Sequence, residues 1–161
     1  MNISILCYSY SGNTRSVAER VAAACGGRLI EVQPVNPYSR LTAYTLGSYR
    51  ARKGICDPIE PQTIDVSRDD LIVIGTPVWA GRAAPPVNAA VAALEGCKGK
   101  KAVIFATCGK VAGDTLPMLK KALEARGVTV AGEFMFDKDT LDDTGRIGAL
   151  ISAIKTAGGM P

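Results

Sequence analysis

The chain contains no histidine among its 161 residues. This absence excludes zinc sites with imidazole ligands and nucleophilic sites in which histidine is the base. The five cysteines are scattered, without the C-x-x-C spacing of metal or dithiol motifs; they are Cys7, Cys25, Cys56, Cys97 and Cys108. We therefore expect reduced thiols and a cytoplasmic protein.

Long apolar runs are missing as well. No stretch approaches the roughly 20 residues that a membrane-spanning helix needs, and the first residues do not resemble a secretory signal. Hydrophobic residues are 47% and charged residues 21% of the sequence, proportions that fit one globular domain over residues 1–161. The net charge of +4 is spread along the chain, so neither a nucleic-acid nor a membrane partner is expected.

Short β-rich runs alternate with helical patterns, which predicts an α/β fold with a parallel sheet covered by helices. The predicted strands are Asn2–Tyr8, Arg28–Val32, Leu71–Gly75, Ala102–Thr107 and Val128–Phe134. The predicted helices are Thr14–Cys25, Val87–Leu94, a third from an N-cap at Asp114 to Gly127, and Thr144–Ala157. The third and fourth strands are nearly all apolar, as expected for strands buried on both faces.

The segment between the second and third strands, residues 33–70, is long for a connection within a compact domain. Weak periodicity over Tyr38–Tyr49 makes this part a candidate helix, with Leu41 and Tyr44 on the repeating stripe. A second segment, Glu133–Asp143, is rich in carboxylates and is interpreted as a solvated loop.

The loop after the first strand contains more hydroxyl groups than a turn needs. It is Ser9-Tyr10-Ser11-Gly12-Asn13-Thr14, at the edge of the sheet where open α/β folds bind ligands. The N–H groups of a helix start favour an anion, so the loop is interpreted as a phosphate cradle. The alternative, in which Ser11 or Asn13 simply caps the helix, explains one hydroxyl and not three. Neither G-x-G-x-x-G nor G-x-x-x-x-G-K-[ST] occurs.

The loops after the third and fourth strands complete the predicted ligand edge. One is Thr76-Pro77-Val78-Trp79-Ala80-Gly81, which holds the single tryptophan of the chain, and the other runs from Thr107-Cys108-Gly109 to Gly113. A lone tryptophan is more often part of a core than a ligand platform, but a Pro- and Gly-rich loop at this edge favours stacking on a flat heterocycle. The three loops together suit one ligand with a phosphate tail and a planar ring.

These loops resemble those of the flavodoxin family and of its FMN-binding relatives. Ser9–Thr14 is similar to the family's [ST]-x-[ST]-G-x-T phosphate loop, and Ile74–Gly81 and Ala106–Gly109 follow at the expected distances. The resemblance implies a three-layer α/β/α sandwich, with a five-stranded parallel sheet of order 2-1-3-4-5 that binds FMN non-covalently.

The resemblance also implies a role for each loop. Ser9, Ser11, Gly12, Asn13 and Thr14 would hold the phosphate. Thr76 to Gly81 would flank the isoalloxazine, with Trp79 against the ring, and Thr107 to Gly113 would cover its pyrimidine side. Near a flavin, Cys108 could be redox-active, with Lys110 lowering its pKa; the favoured alternative is that it is a small hydrophobic residue.

Three functions are compatible with these sequence features. The leading one is an electron carrier between redox partner proteins, acting as a monomer or weak homodimer. The second is a small NAD(P)H- or quinone-dependent FMN oxidoreductase, because the chain is basic and lacks an aromatic residue between Cys108 and Gly113, unlike typical carriers of the family. Tyr44 and Tyr49 are candidates for the missing cover. The third is a phosphate- or nucleotide-binding module without flavin.

Overall fold

The central sheet follows from apolar strands that can be buried on both faces only between two layers of helices. In the computed structural model, which describes residues 1–159, the strands are β1 (Ile3–Cys7), β2 (Arg28–Glu31), β3 (Leu71–Trp79), β4 (Lys101–Thr107) and β5 (Thr129–Phe136). They are parallel and lie in the spatial order β2-β1-β3-β4-β5, which confirms the predicted fold. The last two residues of the predicted single domain lie outside the described range.

Helices cover both faces of this sheet. They are α1 (Asn13–Cys25), α2 (a continuous segment of Arg40–Thr42, Ala43–Gly47 and Ser48–Lys53), α3 (Pro85–Ala92), α4 (Thr115–Glu124) and α5 (Thr144–Gly158). Val17 of α1 and Leu150 of α5 belong to one apolar core, whereas Val87 of α3 and Leu123 of α4 belong to the core on the opposite face. Within residues 1–159, no helix is both long and apolar enough to cross a membrane.

The third strand differs from its prediction. Residues 76–79 continue β3 instead of forming a loop, and the chain then folds back as an antiparallel hairpin in which Trp79 pairs with Arg82. Pro77 is tolerated in the strand because it is the last residue of β3 that pairs with β4, opposite Thr107. Leu94, which was predicted as the end of a helix, instead begins a short strand that pairs in parallel with residues 64–65.

The segment of residues 33–70 contains the expected helix, α2, but the residues of this helix that face inward were predicted wrongly. Leu41 and Tyr44 are 74% and 77% exposed, whereas the small residues Ala43, Gly47 and Ala51 face inward. Ala43–Gly47 forms a π-helical turn, a feature that often marks functional sites. The acidic segment Glu133–Asp143 was predicted as a loop, but its first four residues, 133–136, belong to β5.

We expect Gly47→Ala to destabilise the protein because its new methyl group would lie 2.5 Å from Cζ3 of Trp79. Overpacking of this kind costs about 1–3 kcal/mol in the free energy of unfolding. The matched control is Gly148→Ala in α5, where a methyl group meets no atom within 4 Å and helix propensity should add about 0.5–1 kcal/mol. Urea denaturation measures both; equal effects of the two substitutions would contradict the close packing at Gly47.

Candidate functional site

A cavity of about 570 Å³ opens at the carboxyl edge of the sheet. It is lined by residues from all three predicted loops: Tyr10, Ser11, Asn13, Pro77, Val78, Trp79, Ala80, Thr107, Cys108 and Gly109. Segments far apart in the chain meet here because the carboxyl ends of neighbouring parallel strands share one edge. The remaining predicted site residues do not line it; they are Ser9, Gly12, Thr14, Thr76, Gly81 and Gly113.

The start of α1 is open to a ligand. Its N-cap is Gly12, whose φ of 94° lies in the left-handed region, and no side chain caps the helix. The interpretation that Ser11 or Asn13 is a simple cap is therefore wrong. Ser9 instead accepts a hydrogen bond from the Gly12 N–H at 3.0 Å, which holds the turn. The N–H groups of the first helical turn have no acceptor within the helix, so they are placed to bind an anion.

Thr14 has a different position from the other residues of this loop. It is buried, and its hydroxyl shares a hydrogen bond of 2.7 Å with the hydroxyl of Thr107 at the end of β4. Thr14 does not line the cavity, although Thr107 does. The pair ties the loop after β1 to the loop after β4.

Trp79 forms a wall of the cavity, and its indole is held by aromatic neighbours. The rings of Tyr8, Tyr10 and Tyr38 meet it edge-on, with centroid distances of 5.8, 5.8 and 5.0 Å. Gly47 of α2 lies so close to the indole that even a methyl group would clash. Edge-to-face packing from several sides leaves the ring little freedom, so the wall is preformed.

A buried carboxylate fixes one of these tyrosines. Asp57, whose side chain is 3% exposed, accepts a hydrogen bond of 2.6 Å from the Tyr38 hydroxyl and pairs with Arg50 at 2.8 Å. Burial and this hydrogen bond raise the pKa of Tyr38 to about 12. The phenol therefore stays protonated at neutral pH and keeps donating to Asp57.

The turn after Trp79 is braced from outside the cavity. Ala80 and Gly81 have positive φ values of 50° and 74°, as a tight hairpin turn of this kind requires. Gly113 packs against this turn, where a methyl group would lie 2.7 Å from Cα of Gly81. Asp114 donates its N–H to the Gly81 carbonyl at 3.0 Å and pairs with Arg82 at 2.5 Å. Asp114 is the N-cap residue of α4, as predicted, although its side chain makes no capping hydrogen bond.

Thr76 is a structural residue. It is fully buried, and its hydroxyl donates to the Pro77 carbonyl at 2.8 Å and accepts from the Ala84 N–H at 3.1 Å. These bonds connect β3 to the residue before α3 and leave the hydroxyl no access to the cavity.

Several lining residues were not identified from the sequence. They come from α2 and from the loop after β5, namely Arg40, Ala43, Ser48 and Lys138. Tyr44, one of the two candidate covers, lines the cavity, whereas Tyr49 does not. Lys138 could have been predicted from the sequence, because it follows the last predicted strand and the loops at the carboxyl ends of parallel strands line the ligand site. Among the described residues that line the cavity there are two cations and no carboxylate, which suits an anionic ligand.

Cys108 is half-buried and lines the cavity, with its Sγ 3.5 Å from Sδ of Met135. Burial and the carboxylate of Asp137 raise the pKa of this thiol. The direction of this shift is opposite to the activation by Lys110 that was weighed from the sequence, and it supports the favoured interpretation of a non-activated thiol.

The flavodoxin family model matches residues 2–143, so the chain belongs to the flavodoxin family. Among solved structures, a protein from Bacteroides eggerthii with a provisional flavoprotein assignment is 24% identical, with a TM-score of 0.74 and coverage of 95% of this chain and 97% of the other. A flavoprotein–FMN complex from Lactobacillus acidophilus is 21% identical, with a TM-score of 0.67 and coverage of 89% and 98%. The two-electron-reduced flavodoxin of Megasphaera elsdenii is 18% identical, with a TM-score of 0.61 and coverage of 98% of both chains. No curated protein matches the sequence.

Membership of this family confirms the resemblance found in the sequence, and with it FMN as the cofactor. The geometry of the site also fits FMN, independently of the family match. The uncapped start of α1 is suited to a phosphate, and the preformed wall at Trp79 is suited to a flat ring.

We expect Ser11→Ala to weaken FMN binding by about tenfold or more, because a hydrogen bond to a charged group contributes about 1.5–3 kcal/mol. Ser11 is exposed and lines the cavity, so the free energy of unfolding of the apoprotein should hardly change. Titration of apoprotein into FMN, followed by flavin fluorescence, measures the affinity. Ser152→Ala, at an exposed position of α5, is the control; equal affinities of both variants would remove Ser11 from the phosphate site.

We expect Cys108 to react with iodoacetamide more slowly than free cysteine between about pH 7 and 9, because its raised pKa leaves less thiolate. Peptide mass spectrometry of the apoprotein over a time course measures the rate at this one residue. Faster reaction than free cysteine near pH 7 would show an activated thiol instead.

Proposed function

We propose that the protein is an FMN-dependent electron carrier between redox partner proteins. The observation that carries this proposal is the preformed cavity that joins an uncapped helix start to an aromatic wall. Among the residues that the structure describes, its lining includes no histidine, aspartate or glutamate, and burial raises the pKa of the Cys108 thiol. A site whose polar side chains are mainly hydroxyl groups and two cations suits a protein whose task is to bind and tune a flavin.

The residues present divide between the two ends of the cofactor. Ser11, Asn13 and the first-turn N–H groups of α1 would hold the phosphate. Trp79 and Tyr44 are the aromatic residues placed to contact the ring, and the backbone at Cys108 and Gly109 would bond its polar edge. When bound, FMN supplies one- and two-electron chemistry. The Lactobacillus acidophilus neighbour, which was solved with FMN, supports this choice of ligand.

The charge of the protein suggests the kind of partner. The net charge is +4, and Arg40 and Lys138 lie at the cavity, so an acidic redox protein would be attracted to this edge. A cytoplasmic location remains part of the proposal and is supported by five unpaired cysteines.

A second candidate function is an NAD(P)H- or quinone-dependent oxidoreductase. It is favoured by the exposure of Tyr44, which is 77%, and by the absence of an aromatic side chain between Cys108 and Gly113. A ring covered only by an exposed side chain on one face would leave room for a substrate.

The two functions differ in how the FMN-loaded protein takes up and passes on electrons. For a carrier, we expect anaerobic reduction to proceed in two resolved one-electron steps in the visible spectrum, with NAD(P)H oxidation in the presence of a quinone no faster than with free FMN. Turnover well above free FMN would contradict the carrier and support the oxidoreductase. A protein that binds no FMN from a large excess would contradict both.

A further inference from the structure

A second cavity, of about 450 Å³, lies between α3 and α4 and is closed on one side by the end of α2. Its lining shares no residue with the cavity described above. The hairpin after β3 separates the two, because Trp79 and Ala80 line the first cavity and Arg82 and Ala83 line the second. We call this second cavity the α3–α4 groove. Nothing in the proposed electron-transfer function uses it.

The charged side chains of the α3–α4 groove all have the same sign. Arg52, Lys53, Arg82 and Arg126 line it, and no carboxylate does among the described residues. Arg82 is fixed by its ion pair with Asp114. Arg126 is fixed by donating to the Leu94 carbonyl at 2.5 Å. Arg52 and Lys53 form no ion pair within residues 1–159, so they are available to a ligand.

The floor of the groove is apolar. Val91 and Ala92 from α3 face Leu119 and Ala122 from α4. Met118, on the same wall, is 47% exposed although its side chain is large and hydrophobic. Apolar walls with a few charged groups are typical of small-molecule sites, and the volume lies within their usual range of about 300–1,000 Å³.

We propose that the α3–α4 groove binds a small amphipathic organic anion, with an apolar body on the helical floor and a single carboxylate, sulfonate or phosphate group near Arg52 and Lys53. A bare inorganic anion would leave the apolar floor in water. An amphipathic cation would be repelled by Arg52, Lys53 and Arg126, since Arg82 is the cation whose charge is paired, with Asp114. The apolar floor therefore favours an apolar body, and the cations Arg52 and Lys53 favour an anionic group on the same ligand.

The first test uses the FMN-loaded protein, in which the flavin cavity is filled, and 8-anilinonaphthalene-1-sulfonate as the probe. We expect saturable binding, seen as a rise in probe fluorescence, and displacement of the probe by decanoate. Neither decylammonium nor inorganic phosphate should displace it at the same concentration. No saturable binding, or equal displacement by decanoate and decylammonium, would overturn the proposal. Displacement by a glutamate-rich peptide but not by decanoate would also overturn it, in favour of a protein-docking surface.

Charge and shape variants then locate the probe. Arg52→Gln with Lys53→Gln should raise the dissociation constant about fivefold or more, since two of the four cations are removed. The control, Lys101→Gln with Lys155→Gln, removes the same charge from residues outside the groove and should leave the constant unchanged. Ala122→Phe should block binding by filling the floor; Ala122 is exposed, so the fold should tolerate the change, and the thermal midpoint checks this. Equal loss in the control pair would show non-specific attraction and overturn the site.

Two cysteines report which cavity is occupied. Cys56 lines the α3–α4 groove and Cys108 lines the flavin cavity. In the FMN-loaded protein, the bound probe should slow alkylation of Cys56 by a maleimide and leave the rate at Cys108 unchanged, as read by peptide mass spectrometry. Protection of Cys108 alone would place the probe in the flavin cavity and overturn the assignment.

Discussion

Burial of β1, β3 and β4 on both faces is the constraint on which the rest of the structure depends. Alternate residues of β3 point into different cores, with Ile72 and Ile74 on one side and Val73 on the other, so neither face tolerates solvent. Helices must then cover both faces, and each crossover returns the chain to the same end of the sheet. The loops that leave the strands therefore gather at one edge, where the ligand cavity lies.

The site combines rigid and open parts. Trp79 is held by three tyrosines and by α2, and α2 is in turn held by the buried Asp57 through Tyr38 and Arg50. The segment between β2 and β3 is thus held in part by one buried carboxylate, whose two oxygens each accept a hydrogen bond. The opposite wall, at Tyr44, remains exposed. A preformed platform on one side lowers the entropic cost of binding a flat ring.

The hydrophobic period and the Gly-rich breaks of the sequence located the strands and the three ligand loops. The strand order came instead from the resemblance to the flavodoxin family. Sequence reasoning failed in α2, where Ala43, Gly47 and Ala51 face inward. A stripe of small residues has no hydrophobic signal, and its purpose is visible only when Trp79 is seen against it. It also stopped β3 too early, since Pro77 ordinarily ends a strand and is tolerated here only at the end of the pairing.

The hydrogen bond between Thr14 and Thr107 affects when, during synthesis, the chain first becomes able to bind FMN. These residues are 93 positions apart, yet their contact joins the loop at α1 to the end of β4. Domains generally fold as units during synthesis, starting from the N-terminus. The first loop can form its turn early, but its anchor at Thr107 exists only after β4 has left the ribosome and paired with β3. Cofactor capture by the complete cradle is therefore a late event in the life of the nascent chain.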